Sequence, residues 1–365
     1  FGLEVAPPVL GVLLPVGVSF YAFQTLIYTV DIYRGRLAPT RSLLKFAFYV
    51  TFFPQLVAGP IVRASEFLPQ LERRPRLSRE RVSEALFLIA SGLVKKVVFA
   101  DFVSVNLVDR VFDDPAAFSA LEVGLGLYGF TLQIYADFSG YTDVARGSAL
   151  LFGLELPENF DRPYQARSVA EFWRRWHMTL STWLRDYLYF PLGGSRRGPA
   201  RTYLNLWLTL FLIGLWHGAS WTFVIYGNLQ ALAVVATRFW SRVRRSRGWT
   251  DPDPRWLDVL KVVLTLQFVV FSRILFRATD LDNAWAVTRQ LLRGTTSVAQ
   301  VGDDVWRVLF LGFFLHYVPR SQLEWLRRLF TRRPAWVQGL VLAAVGAGLA
   351  LFATQEAVPY IYYQF

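Results

Sequence analysis

Apolar runs of helical length recur along the chain, separated by short segments rich in arginine. The first covers 9–30 and carries Pro15 and Gly17, which buried helices tolerate when neighbours re-satisfy the freed backbone groups. Arg34, Arg36, Arg41 and Lys45 follow it. The run 46–62 is broken by Pro54, Gly59 and Pro60, so it predicts a bent or re-entrant piece and not a straight span. After the basic segment 69–81, the run 85–111 is long enough to span, with Lys95 and Lys96 in its middle. Those lysines can snorkel, pair with acids or face a polar interior. Asp113-Asp114-Pro115 forms an acidic loop placed outside, and 121–135 returns into the polar block 137–143, where Arg146 is the local candidate partner for Asp143.

Ser168-Val169-Ala170-Glu171 has the capping-box pattern, predicting a helix from Val169 to about Tyr189, ahead of Pro191 and the Gly193-Gly194 turn. On it Trp173, Trp176, His177, Leu180 and Leu184 share one face, and Arg175, Thr179, Thr182 and Asp186 another. The run 203–216 is about 21 Å of helix, short of a hydrocarbon core of about 30 Å, which places His217 at membrane depth. Gly218, Ala219 and Ser220 leave room there for a ligand or another backbone. The run 221–239 leads to a cluster of Arg238, Arg242, Arg244, Arg245 and Arg247, assigned to the cytoplasm. Spans follow at 257–276, with Gln267 inside, and at 336–353. Between them, the loop 277–304 fits either side, and 305–318 carries His316 at an expected interface beside the basic stretch 320–333. An aromatic anchor, 361–365, ends the chain.

Composition strengthens the membrane assignment. Of 365 residues 54% are hydrophobic, with 31 Phe, 16 Tyr and 13 Trp, more apolar surface than a soluble fold of this length hides. The net charge of +12 sits in short clusters between apolar runs, as positive-inside loops require, so nucleic acid is not an expected partner. No charged n-region opens the chain, and no signal peptide is expected. With no cysteine there are no disulfides, no thiolate metal sites and no cysteine-linked acyl intermediate.

Two of the three histidines, His177 and His217, are flanked by tryptophan within this apolar context. Such a pair could bind metal, relay protons or serve acyl transfer. Metal is the weakest of these, since neither histidine has a partner at the spacing of metal helices. A relay needs acids within the spans, whereas here they cluster at segment ends. Acyl transfer needs a neutral imidazole able to take a proton from a hydroxyl in a site shielded from water, and His217 fits that description. His177, beside Arg174 and Ser181 on the predicted helix, reads from its position as a hydrogen-bonded packing residue.

The motifs themselves resemble those of the membrane-bound O-acyltransferase (MBOAT) family, within it the alginate O-acetylation membrane protein branch. They are Pro15-Val16-Gly17-Val18-Ser19-Phe20-Tyr21, Asp31-Ile32-Tyr33-Arg34-Gly35, the segment from Phe53 to Ile61, Asp137-Phe138-Ser139-Gly140-Tyr141-Thr142-Asp143 and Pro157-Glu158-Asn159-Phe160. Glu171-Phe172-Trp173-Arg174-Arg175-Trp176-His177, Arg185-Asp186-Tyr187-Leu188-Tyr189 and Leu215-Trp216-His217-Gly218 complete the series in family order. The resemblance implies an all-α multi-pass integral membrane fold, a ring of transmembrane and re-entrant helices around a central cavity. One membrane domain would cover 1–365 in the bacterial cytoplasmic (inner) membrane. Family members have further N-terminal spans, so the chain resembles an N-terminally truncated member.

It further implies His217 as the catalytic residue and His177 as the second functional histidine. Trp216, Trp176, Arg174, Asp137, Ser139, Asp143 and Asn159 form the implied substrate-binding set. No bound cofactor or metal is expected. Acetyl-CoA is the implied donor, and the acceptor is an exported polysaccharide or an extracytoplasmic acetyltransferase or esterase-like partner. The alternatives are D-alanyl transfer to teichoic acid from an acyl carrier protein and a non-catalytic transporter or channel using Asp137, Asp143 and the lysines.

Overall fold

The computed structural model describes residues 17–75, 77–249, 252–353 and 358–360, and within them the chain is helical with no β-strand. Positions 9–16 of the first run, Pro15 included, and the aromatic end 361–365 lie outside the described residues. Helix α1 (Val18–Tyr33) starts at Gly17, whose φ is 78°. A Cβ on Gly17 would lie 2.1 Å from the Leu56 carbonyl oxygen, so only glycine lets α1 begin against the proline-rich segment. That segment is bent as the prolines require: α2 (Leu43–Thr51) breaks at Phe52, α3 (Phe53–Leu56) is a single turn, and α4 (Ala64–Phe67) follows an irregular stretch. Gln55, buried at the break, donates to the Tyr49 carbonyl at 2.9 Å and so supplies a partner that the interrupted helix cannot.

Helix α5 (Arg79–Val94) continues through two π-helical stretches, Lys95–Asp101 and Ser104–Val108, into α6 (Asp109–Asp113) as one rod. Helix α7 (Ala120–Leu151) packs along it and opens on a true capping box, with the Ser119 hydroxyl accepting from the Glu122 N–H and the Glu122 carboxylate from the Ser119 N–H. Glycines set the close approach: a Cβ on Gly92 would sit 2.5 Å from the Gly140 oxygen, and one on Gly147 2.6 Å from the Ala85 oxygen. The polar block 137–143 therefore lies inside a continuous helix and not at a helix end. Its acids meet the two lysines of the rod. Lys96 bridges Asp101 at 2.7 Å and Asp137 at 2.8 Å, and Lys95 pairs with Asp143 at 2.5 Å. Arg146, the expected partner of Asp143, reaches instead to Glu158 at 3.5 Å.

Helix α8 (Val169–Arg175) and α9 (Met178–Leu184) replace the single helix expected from Val169 to Tyr189, with a π-helical turn at Arg185–Tyr189. Helix α10 (Gly198–His217) turns tightly into antiparallel α11 (Trp221–Ser246), where a Cβ on Gly214 would meet the Gly227 Cα at 2.5 Å. Starting at Gly198, α10 has 20 residues, about 30 Å, so the shortness inferred from 203–216 does not hold and His217 ends a full-length helix. Helix α12 (Arg255–Arg277) follows, tied to the end of α11 by Asp253, whose carboxylate Lys261 and Arg244 hold below its ordinary pKa. Gln267 within α12 donates to the Tyr128 hydroxyl. The loop expected at 277–304 contains α13 (Leu281–Leu291), and α14 (Asp303–Tyr317), α15 (Arg320–Thr331) and α16 (Ala335–Phe352) close the bundle.

The molecule is apolar outside and polar within. Leu232, Phe239, Val259, Leu264, Phe310, Phe314, Leu340 and Leu351 are exposed, while Lys96, Asp137, His177 and Arg273 are buried. Such a surface suits a hydrocarbon surround. Among the described residues α12 and α16 are long and apolar enough to cross a membrane, with mean hydropathies of 2.0 and 1.9.

Because Lys96 is the cation that two buried carboxylates share, Lys96→Met should lower stability by about 3–5 kcal/mol. The check is the midpoint of thermal unfolding in detergent, compared with that of Lys45→Met, which breaks an exposed pair.

Candidate functional site

The break between α8 and α9 falls on His177, whose φ of 43° and ψ of 55° place it in the left-handed region. A non-glycine residue there is strained and persists only when its surroundings fix it. Here they do. The segment 159–161 runs beside 175–178, with the Met178 N–H donating to the Asn159 carbonyl at 2.9 Å and the Asp161 N–H to the Arg175 carbonyl at 2.9 Å. The Asn159 side-chain oxygen accepts from the Thr179 hydroxyl at 2.9 Å and the Thr179 N–H at 3.2 Å, and it faces His177 Nδ1 at 3.2 Å. An oxygen that accepts from two other donors accepts from the imidazole too, so Nδ1 carries the ring proton and Nε2 is left with its lone pair. Nε2 is buried and has no hydrogen-bond partner among the described residues. Thr179 in turn accepts from the Ile61 N–H at 3.0 Å, tying the proline-rich segment to the same knot.

Aromatic rings hold the imidazole on its other sides. Phe138 meets it edge-on at 4.7 Å, and Phe20 of α1 stacks on it at 6.2 Å. Phe20 also contacts Trp216 at 6.0 Å, and Trp216 packs on the neighbouring His217 ring at 4.9 Å. Phe20 and Trp216 thus link the two histidines through a continuous series of ring contacts. His217, half-buried at the end of α10, also packs against Phe276 at 4.9 Å. The room expected at Gly218 is taken by the Phe223 ring, 2.6 Å from where a Cβ would stand, and Ser220 caps α11.

The remaining expected residues divide into groups. Trp176 is buried among Phe160, Phe172 and Tyr164, with the Arg273 guanidinium 4.9 Å above its ring. Asn159 belongs to the site as the support of His177. Asp137 and Asp143 are engaged with Lys96 and Lys95 between the rod and α7, and Ser139 is buried on the same helix. Arg174 is exposed, while the Ser181 hydroxyl donates to the Trp173 carbonyl at 2.8 Å and the Ser181 N–H to the His177 carbonyl at 3.0 Å, neither reaching the His177 ring. The five positions expected to share a face, Trp173, Trp176, His177, Leu180 and Leu184, are all buried even though the helix breaks among them. Ser168 caps α8, but the Glu171 carboxylate returns to the Arg167 N–H and not to that of Ser168. His316 is buried and not interfacial; its Nε2 accepts from the Tyr164 N–H at 3.2 Å.

Sequence reasoning missed Arg273 and Phe276. Arg273 carried a usable signal: it is a charge near the end of an otherwise apolar span.

An apolar-sided helical bundle that holds two histidines among aromatic rings defines a class, that of membrane proteins with an internal polar site. The sequence comparisons narrow it. The model of the MBOAT, membrane-bound O-acyltransferase family, matches residues 18–276, and the chain belongs to that family. It is similar to the "Probable alginate O-acetylase" of Pseudomonas aeruginosa, 40% identical over 316 residues, covering 83% of this chain and 58% of the relative. A peptidoglycan O-acetyltransferase of Helicobacter pylori is 36% identical over 309 residues, covering 78% of this chain and 58% of that protein. A teichoic acid D-alanyltransferase of Bacillus subtilis is 27% identical over 273 residues, 71% of this chain and 68% of its own length. The chain thus spans a little over half the length of the first two.

Asn159→Ala removes the acceptor shared by His177 and Thr179 and should cost about 1–3 kcal/mol of stability. Thermal unfolding in detergent measures it; an unchanged midpoint would mean that the aromatic neighbours alone hold His177.

Proposed function

We propose that the protein is a membrane O-acyltransferase that moves an acetyl group from cytoplasmic acetyl-CoA to a hydroxyl of an exported polysaccharide or of its extracytoplasmic acetyltransferase or esterase-like partner. The observation that supports this reading is that Phe20 and Trp216 connect His177 and His217 through successive ring contacts, with the His177 tautomer set so that Nε2 can accept a proton or hydrogen bond. In the reaction, the acceptor oxygen attacks the thioester carbonyl carbon while His217 takes the hydroxyl proton. The tetrahedral intermediate collapses, the C–S bond breaks, and the proton passes to the departing thiolate. We read the transfer as direct to oxygen, and the given sequence offers no cysteine for a thiol-bound acyl intermediate. His177 Nε2 accepts a hydrogen bond that orients the acceptor. The aromatic walls exclude water, which would otherwise hydrolyse the thioester.

On this reading the two substrates approach from opposite sides. A cavity of about 270 Å³ lies at the start of α10 beside Arg238, Arg242 and Arg245, and this basic end faces the cytoplasm of the bacterial inner membrane. From there α10 runs to His217, which we read as the acceptor end of a multi-pass ring of helices. Acetyl is favoured over D-alanyl, since the relatives named for O-acetylation are 36–41% identical to this chain and the Bacillus D-alanyltransferase 27%.

The test uses the full-length protein in proteoliposomes with labelled acetyl-CoA on one side and a polysaccharide acceptor on the other. His217→Ala should reduce labelled product by about 10²–10⁴-fold while its unfolding midpoint stays near wild type. Undiminished transfer would sink the assignment of His217 as base.

A further inference from the structure

The arginines that end α11 divide by helical period. Arg244 pairs with Asp253 at 3.0 Å. Arg238, Arg242 and Arg245 recur at i, i+4 and i+7, so they share another face, and together they line the cavity of about 270 Å³ at the start of α10. No carboxylate lines that cavity, and none of the three arginines enters an ion pair among the described residues. Like charges three and four residues apart on a helix repel, so this arrangement is a cost to the fold until an anion settles on it. The α10 side of the cavity is held by its own hydrogen bonds. Gly193 and Gly194 turn the chain with φ of 104° and 53°, and the buried Asn205 side chain locks that turn, donating to the Leu192 carbonyl at 3.2 Å and the Gly194 carbonyl at 3.0 Å. The turn leads into Ser195, which lines the cavity and whose hydroxyl is bonded to that of Tyr189 at 2.7 Å.

Clustered guanidiniums are matched to phosphate, whose oxygens take their parallel N–H groups. Two features decide which phosphate. Pockets that enclose a drug-sized molecule start at about 300 Å³, so this smaller cavity takes a phosphodiester and not a whole nucleotide. Its arginines also continue an apolar stripe. Ile225, Leu229, Leu232 and Phe239 follow one another at i+4, i+3 and i+7, all exposed, along about 21 Å of α11, and Arg242 comes three residues later. A ligand lying on this face meets hydrocarbon side chains first and guanidiniums at the end, the order in which a membrane lipid presents its chains and its headgroup. Trp240, exposed beside Phe239, suits the same interfacial level. We propose that this cavity binds the phosphate of an anionic phospholipid whose acyl chain lies on the α11 stripe. Because the lining comes from both helices, the lipid clamps the open end of the α10–α11 hairpin, opposite the turn at Gly218. The site does not depend on the reading of the protein as a transferase.

Native mass spectrometry tests it on the full-length protein released from a neutral detergent, titrated with phosphatidylglycerol or with phosphatidylcholine of the same acyl chains. The first phosphatidylglycerol should bind wild type at least about tenfold more tightly than phosphatidylcholine does. In Arg242→Gln/Arg245→Gln its affinity should fall to that of phosphatidylcholine. A charge-matched control, Arg328→Gln/Arg332→Gln at the end of α15, changes two exposed arginines outside the lining and should leave the affinity at the wild-type value. Equal affinity of wild type for the two lipids, which needs no variant to fold, would overturn the site. So would equal losses in the two double variants, since the lipid would then be answering the basic face as a whole. Competition separates the sources of phosphate: a first phosphatidylglycerol retained against an equal concentration of coenzyme A or inorganic phosphate supports the lipid, and its displacement by either overturns the assignment.

Discussion

The constraint on which this structure depends is that its exterior offers polar groups nothing to bind. The outward faces of α11, α12, α14 and α16 are covered by leucine, valine and phenylalanine, so charges and amides must find partners inside the bundle. Lys96 between Asp101 and Asp137, Gln55 on the Tyr49 carbonyl and Gln230 bridging Trp173 and Ser272 at 3.2 and 3.0 Å are instances of one rule. In hydrocarbon the alternative to an internal partner is not solvation by water but a bare dipole or charge, which is why these contacts specify neighbours as well as holding them. Arg273 and His177 Nε2 are among the buried polar groups that meet this rule incompletely among the described residues.

The site is organised around a backbone event and not a helix face. A continuous helix through His177 would have pointed the imidazole wherever the 3.6-residue period dictated. The left-handed residue at the junction of α8 and α9 instead turns it toward Asn159, where three donors converge on one oxygen and fix which ring nitrogen carries the proton. His217 is positioned differently, by the end of a full-length helix and by ring contacts with Trp216 and Phe276. One imidazole is thus locked by hydrogen bonds and the other lodged by packing. This division is consistent with unequal roles, a fixed orienting group and a base that exchanges a proton.

Much of this was legible in the chain, for identifiable reasons. Prolines at 54 and 60 and glycine at 59 announce a bent segment whatever packs on it, and the bend is there. The two lysines at 95 and 96 demanded acids, and the acids of the polar block meet them. What could not be read was anything decided by distant partners. Arg146 is nearer to Asp143 in sequence than Lys95 is, yet helix packing, not sequence distance, chose the pair. The Ser168 pattern correctly marked a helix start, but no local signal announced the break at His177, because the strain there is offset by Asn159, eighteen residues earlier. The depth assigned to His217 rested on a run counted from Tyr203, whereas the helix starts at Gly198, where Pro199 fits its first turn. Its presence in a site came instead from the motif around it.

The pairing of the rod 79–113 with α7 has a consequence for biogenesis. The rod carries Lys95 and Lys96 with Asp101 beside them, α7 supplies Asp137 and Asp143, and only six residues, 114–119, connect the two. Two helices joined so closely, whose charges neutralise each other and whose glycines let the backbones touch, are built to pair as one hairpin. Assembly order is then written into the fold: the hairpin closes with its charges already compensated, and the rest of the bundle packs around it.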